Sequence, residues 1–159
     1  MRGMDEDVPV EDPLTEDALT EDALAEDLRQ SIGELVRAVR AVDTMPPGEA
    51  AVLGFLDRGG PLTTADLAQR RGVTHQSAAK SVKDLVGGGL ARTEPHPGDG
   101  RKLLVHITDA GRARLRRERE RRARTLNAAI RDTCGPEERR QLRECVALLS
   151  RLTAHLVGK

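Results

Sequence analysis

The chain has 159 residues, 26 acidic against 26 basic, and a single aromatic residue, Phe55. This length allows one domain, or a small domain with an oligomerisation appendage, and a core this poor in rings has to be built from Leu, Val and Ala. No apolar run reaches the roughly 18 residues of a membrane span and the N-terminus lacks the basic and apolar regions of a signal peptide, so a cytoplasmic protein without a membrane partner is expected.

The balanced charge conceals an asymmetry. Residues 1–30 hold eleven Asp and Glu against Arg2 and Arg29, a net −9, which leaves the rest of the chain at +9. The body is therefore basic enough to attract phosphates. The acidic segment repeats every five residues, as in Glu16-Asp17-Ala18-Leu19-Thr20 and Glu21-Asp22-Ala23-Leu24-Ala25. A period of five matches no helical stripe, so residues 1–15 are read as disordered and 16–23 as frayed helix. From Leu24 the pattern changes: Leu24, Leu28, Ile32, Leu35, Val39 and Val42 recur at spacings of three and four, and Met45-Pro46-Pro47-Gly48 ends that helix.

A second helix covers Glu49–Asp57. Thr63 and Asp66 stand at capping-box spacing ahead of a short third helix that ends at Arg70. Gly72 supplies the turn, and Thr74 caps a fourth helix to Val86, with Ala78, Val82 and Leu85 inward. Gly87-Gly88-Gly89 closes it. Leu90–Glu94 and Lys102–Ile107 read as strands, Leu103, Val105 and Ile107 facing inward, joined by an exposed loop from Pro95 to Arg101. Thr108-Asp109 starts a long helix to Thr133, and a last helix begins at Pro136. Its Leu142, Cys145, Leu149, Leu152 and Leu156 form a coiled-coil-like seam. The fold class expected is mainly α with a small β-hairpin wing. A winged helix-turn-helix occupies residues 48–111, a helical dimerisation layer 24–47 and 112–159, and an acidic, largely disordered extension 1–23.

Helix, turn, helix and β-ribbon in this order suit DNA grooves. On the fourth helix Thr74, His75, Gln76, Ser77, Lys80 and Lys83 present the donors and acceptors that read base edges or hold phosphates. In the hairpin, Arg101 is placed to probe a minor groove, Asp99 to orient Arg101, and Arg92 and Lys102 to meet phosphates. Residues 112–124 are arginine at eight of 13 positions. An RNA-binding helix has such a composition, but Glu118 and Glu120 each lie four residues from two arginines, which favours a solvated helix laced with i,i+4 pairs.

Cys134 and Cys145 form no CxxC pair and the four histidines are scattered, so neither metal nor cofactor is expected. Cys145 falls on the apolar seam and is read as core, Cys134 as the better thiol-switch candidate. No phosphate loop or nucleophile elbow occurs, which leaves no basis for an enzyme.

The segments Leu62-Thr63-Thr64-Ala65-Asp66-Leu67-Ala68, Gly72-Val73-Thr74, Gly89-Leu90, Asp99-Gly100-Arg101 and Ile107-Thr108-Asp109-Ala110-Gly111-Arg112, taken in order, resemble the MarR (multiple antibiotic resistance regulator) family. The resemblance implies a homodimeric transcriptional regulator, most simply a nucleoid-associated repressor, that binds double-stranded DNA at a pseudo-palindromic operator and can be released by a small-molecule effector. By the same resemblance Gln76, Ser77 and Lys80 match the base-reading face, and Asp99 and Arg101 the wing pair. The chain departs from the family by lacking Tyr and Trp for a phenolic ligand and a cysteine in the first helix. It also departs through a triple glycine that is expected to loosen the wing. The alternative reading is a winged protein-interaction module without sequence-specific DNA binding.

Overall fold

The computed structural model describes residues 13–158, with side chains from residue 20 onward. The expectation of disorder over residues 1–12 lies outside the described residues. The described residues divide into two compact units between Ala41 and Val42.

In the first unit, helix α1 runs Pro13–Arg40 without a break. It starts earlier than expected, because the acidic repeat is rich in Ala, Leu and Glu, strong helix formers, and acidic residues near a helix N-terminus complement its dipole. The helix also stops at Arg40, short of the prolines. The stripe that begins at Leu24 is helical but is not buried: Leu24, Ile32 and Leu35 are exposed, and Leu28 and Val39 are half-buried.

The second unit contains α2 (Pro47–Gly59), β1 (Leu62–Thr63), α3 (Thr64–Arg71), α4 (His75–Gly87), β2 (Ala91–His96), β3 (Asp99–Ile107), α5 (Asp109–Thr133) and α6 (Pro136–Val157). Its core joins Val52, Leu53 and Leu56 of α2 to Leu67 of α3, Val82 and Leu85 of α4, Val105 and Ile107 of β3 and Leu115 of α5. Aliphatic side chains supply it, and Phe55 is only partly buried at its edge.

Local chemistry sets each junction. The Thr63 hydroxyl accepts from the Asp66 N–H at 3.1 Å, and the Asp66 carboxylate accepts from the Thr63 N–H at 3.1 Å, a complete capping box. Gly72 takes φ 64° between α3 and α4, a left-handed conformation that favours glycine. The triple glycine does not leave a loose joint. The Leu90 N–H donates to Leu85 O at 2.9 Å and the Gly89 N–H to Val86 O at 3.0 Å, with Gly89 alone of the three at positive φ. This pairing of bonds is a Schellman motif, which satisfies the last carbonyls of α4. The Thr108 hydroxyl then donates to Gly89 O at 2.7 Å, tying the turn to the start of α5.

The sheet is antiparallel in the order β1-β3-β2. Two-residue β1, which pairs Leu62 with Val105, was not anticipated. The hairpin is also longer and tighter than expected. His96 pairs with Asp99 across Pro97-Gly98, and a register shift falls between Pro95 and His96. Pro95 fits because β2 is an edge strand. Leu103 is not inward as expected but 51% exposed, since the wing extends beyond the core that covers Val105 and Ile107.

Helix α6 buries none of its residues within the chain. Cys145, expected in the core, is exposed, while Cys134 is partly covered. Along the apolar seam of α6 Leu142, Cys145, Leu152 and Leu156 are exposed and only Leu149 is half-buried, so the described residues leave most of it uncovered.

Candidate nucleic-acid interface

Burial of Ala78, Val82 and Leu85 fixes the rotation of α4 about its axis. Gln76, Lys80 and Lys83, at spacings of four and three, consequently share an outer face. With Thr74 and Ser77 they line one shallow concavity. The helix sits close against α2: a Cβ on Gly48 would lie 2.8 Å from Ser81 Oγ and 2.9 Å from Arg71 Nη2. Arg71 also donates to Ser81 Oγ at 3.2 Å. Thr74 has a structural task as well, since its hydroxyl accepts from the Ser77 N–H at 3.2 Å.

Lys80 carries a partner that sequence reasoning missed. Its Nζ lies 2.6 Å from Asp84 Oδ2, one helical turn on. The hydrogen bond to Asp84 and its charge raise the Lys80 pKa above the ordinary lysine value, so the ammonium stays charged. Both partners are exposed, and an exposed pair of this kind contributes little, a slight hindrance to exchanging Asp84 for a base or phosphate.

The wing brings its predicted pair together. Asp99 Oδ1 accepts from Arg101 N at 3.2 Å and from Arg101 Nε at 3.1 Å. These bonds hold the Asp99 carboxyl below the usual range. The Arg101 side chain is 92% exposed, so Asp99 orients it without covering it. Arg92 points its guanidinium at Glu94, 2.7 Å away, and the pair holds the Glu94 carboxyl down. His106 Nε2 lies 2.7 Å from the other Glu94 oxygen, off the line of a good hydrogen bond. Arg92 and Lys102 are both exposed.

The two halves meet. His75 at the start of α4, Thr64 and Asp66 at the start of α3, and His96, Arg101 and Lys102 of the wing line one open notch. His96 was not singled out from sequence; the signal for it is the hairpin register, which puts it opposite Asp99.

The arginine-rich helix keeps one expected i,i+4 pair, Arg114 with Glu118, and departs from the expectation elsewhere. Glu118 is fully buried. It accepts from the Thr44 N–H at 3.1 Å and the Thr44 hydroxyl at 2.7 Å, and Arg114 binds the same carboxylate. Arg122, predicted to pair with Glu118, instead holds both oxygens of Asp43 at 2.7 Å, and Arg119 reaches Asp57 at 2.9 Å. Among the described residues Glu120 forms no ion pair. Much of the charge of α5 is spent holding residues 43, 44 and 57. No cluster of metal-ligating side chains occurs among the described residues, and no described helix is long and apolar enough to cross a membrane.

Comparison with known proteins agrees with this geometry. The model of the MarR family matches residues 43–102. An uncharacterised HTH-type transcriptional regulator of Mycobacterium leprae is 30% identical over 87 residues, which are 53% of this chain and 61% of that protein. The chain thus matches less than two thirds of this relative's length. Among solved structures, the transcriptional regulator Tm0710 of Thermotoga maritima shares the fold, with a TM-score of 0.72 at 21% identity over 87% of this chain and 99% of that one. The PcaV transcriptional regulator of Streptomyces coelicolor, solved in complex with its natural ligand, is 26% identical with a TM-score of 0.50 over 80% and 89% of the two chains.

Proposed function

We propose that this chain, whose winged domain matches the model of the MarR family, is a transcriptional regulator that binds a pseudo-palindromic operator in double-stranded DNA as a homodimer and represses the promoter it covers. The observation that carries this reading is the outer face of α4, with Gln76, Lys80 and Lys83 free of the core, beside a wing whose 92% exposed Arg101 lines a notch with His75 of the same helix. A helix of this width fits the major groove, and an arginine held at a hairpin tip fits the minor groove beside it. Two such units on a two-fold axis address half-sites about one helical turn apart.

Arg101→Ala and Lys80→Ala are each expected to weaken binding by roughly tenfold or more, from about 1–3 kcal/mol per lost contact. Mobility shifts on duplexes selected from random sequence by the full-length protein measure this. Failure of both variants to change affinity would remove α4 and the wing from the interface. Recovery of no shared palindrome, with a co-purifying protein in its place, would favour the protein-interaction reading.

The exposed seam of α6 supports the homodimer, because an uncovered row of Leu142, Leu152 and Leu156 is unfavourable in a solitary chain. Leu152→Asp combined with Leu156→Asp is expected to give a monomer in analytical ultracentrifugation and to lose operator binding. A monomeric wild type would end the two-fold model.

PcaV was solved with a ligand, and release of our protein from DNA by a small effector is proposed by analogy. With Phe55 the only aromatic side chain, and Arg58 stacked over it at 5.5 Å, a phenolic compound is a poor match for this chain.

A further inference from the structure

The notch between the wing and the starts of α3 and α4 has a composition that the base-reading face does not explain. His75, His96, Arg101 and Lys102 line it together with one carboxylate, Asp66. Asp66 is already occupied: it accepts from both the backbone N–H and the hydroxyl of Thr63, at 3.1 and 2.7 Å. Those two bonds, aided by the charges of Arg70 and Lys102, hold its carboxyl below the ordinary value. Asp99, beside the notch, is likewise engaged by Arg101. The notch therefore offers donors and positive charge, with its acidic groups satisfied.

His96 is the informative member. Its Nδ1 accepts a hydrogen bond from the Gly98 N–H at 3.0 Å. A ring nitrogen that accepts carries no proton, so this turn bond assigns the neutral tautomer with its hydrogen on Nε2. The Pro97-Gly98 turn thereby presets the ring as an N–H donor without charge. Pro95 and Pro97 on either side limit the backbone freedom that would undo this.

We propose that this notch seats one phosphodiester of the DNA backbone, with His96 Nε2–H as a neutral donor and Lys102 as its charged companion. The assignment rests on the DNA-binding reading above and adds to it a residue that fixes where the wing sits along the backbone. A phosphate contact of this kind positions the protein and reads no base.

Charge separates the two roles experimentally. On a selected duplex, His96→Ala is expected to weaken binding roughly tenfold, the effect of about 1.4 kcal/mol, and to leave the slope of log affinity against log salt unchanged. Lys102→Ala should reduce that slope by about one for each site, because counterion release follows charge. His96→Gln, which keeps a donor near Nε2, should recover most of the loss, and His96→Asn should not.

The decisive version replaces one phosphodiester at a time by a neutral methylphosphonate. At one position in each half-site the replacement and His96→Ala should be non-additive, the second change costing little after the first. Additivity at every position would overturn the proposal. So would a full-strength His96→Ala protein, provided that Arg101→Ala is weakened in the same assay. If neither variant changes affinity, the DNA-binding reading itself has failed. A fall in salt slope for His96→Ala would show a charged contact and overturn the neutral-donor assignment.

Discussion

Replacing Gly111 by alanine is expected to destabilise the winged domain by on the order of 3 kcal/mol, although alanine is the better helix former. Gly111 lies in the first turn of α5, where its N–H donates to the capping Thr108 hydroxyl at 3.0 Å. A Cβ at this position would lie 2.1 Å from the Leu90 carbonyl oxygen and 2.9 Å from Ile107 Cγ1. The first neighbour is backbone. That carbonyl also accepts from the Thr108 N–H at 3.1 Å, so it cannot swing aside without breaking the joint between wing and helix. Overpacking of a core by a methyl group alone costs about 1–3 kcal/mol, and here relief requires moving the start of α5. The gain in helix propensity, about 1 kcal/mol, is smaller.

Gly87 provides the comparison. It ends α4, and a Cβ there would meet nothing within 4 Å. Gly87→Ala should be neutral or stabilising by up to about 1 kcal/mol. Urea denaturation of the two variants should give midpoint changes of opposite sign, or a loss confined to Gly111→Ala. Equal stability of Gly111→Ala and wild type would mean that α5 does not approach Leu90 this closely.

The elements that local rules determine were legible in the sequence. Thr63 with Asp66, Gly72, Thr74 and Thr108 act on neighbours within a few residues, and each junction stands where those residues put it. The Asp99–Arg101 pair was legible for the same reason, its partners being two residues apart. What escaped is non-local. Strand β1 exists only because Leu62 and Thr63 pair with Val105 and Leu104. Two residues have no alternation to read. The burial of Glu118 depends on Thr44, 74 residues away, and i,i+4 spacing favours the intrahelical partners that Arg122 and Glu120 do not use. Cys145 was misread in the other direction. Its helical stripe is real, but a stripe says which face is apolar and not whether the same chain covers it. The division of the chain into dimerisation and DNA-binding regions stays a proposal of the same kind, resting on the uncovered seam of α6 and the role assigned to the wing.

Glu118→Gln is expected to cost about 3 kcal/mol at neutral pH, in the range for breaking a buried ion pair. The carboxylate is fully buried beneath Arg114 and Arg121, whose side chains remain 23% and 35% exposed. The Thr44 hydroxyl donates to it while accepting from both arginines at 2.8 Å. A neutral amide would leave the guanidinium of Arg114 without its counter-charge and would turn an NH2 group toward donors. Burial works to raise the Glu118 pKa, but the hydrogen bonds from Thr44 and Arg114 outweigh it and hold the group below its ordinary value of 4.5. A lowered pKa in the folded state means that the unfolded chain binds the proton first on acidification. The stabilisation is therefore complete above the ordinary value and is lost as pH falls through the lowered one. Carboxylates common to both proteins cancel in the difference between wild type and Glu118→Gln. That difference, measured by urea denaturation, should stay level from pH 8 to about 5.5 and narrow below about 4.5. A difference that is flat down to pH 3, or that widens on acidification, would show that the Glu118 charge does not hold α5 to Thr44.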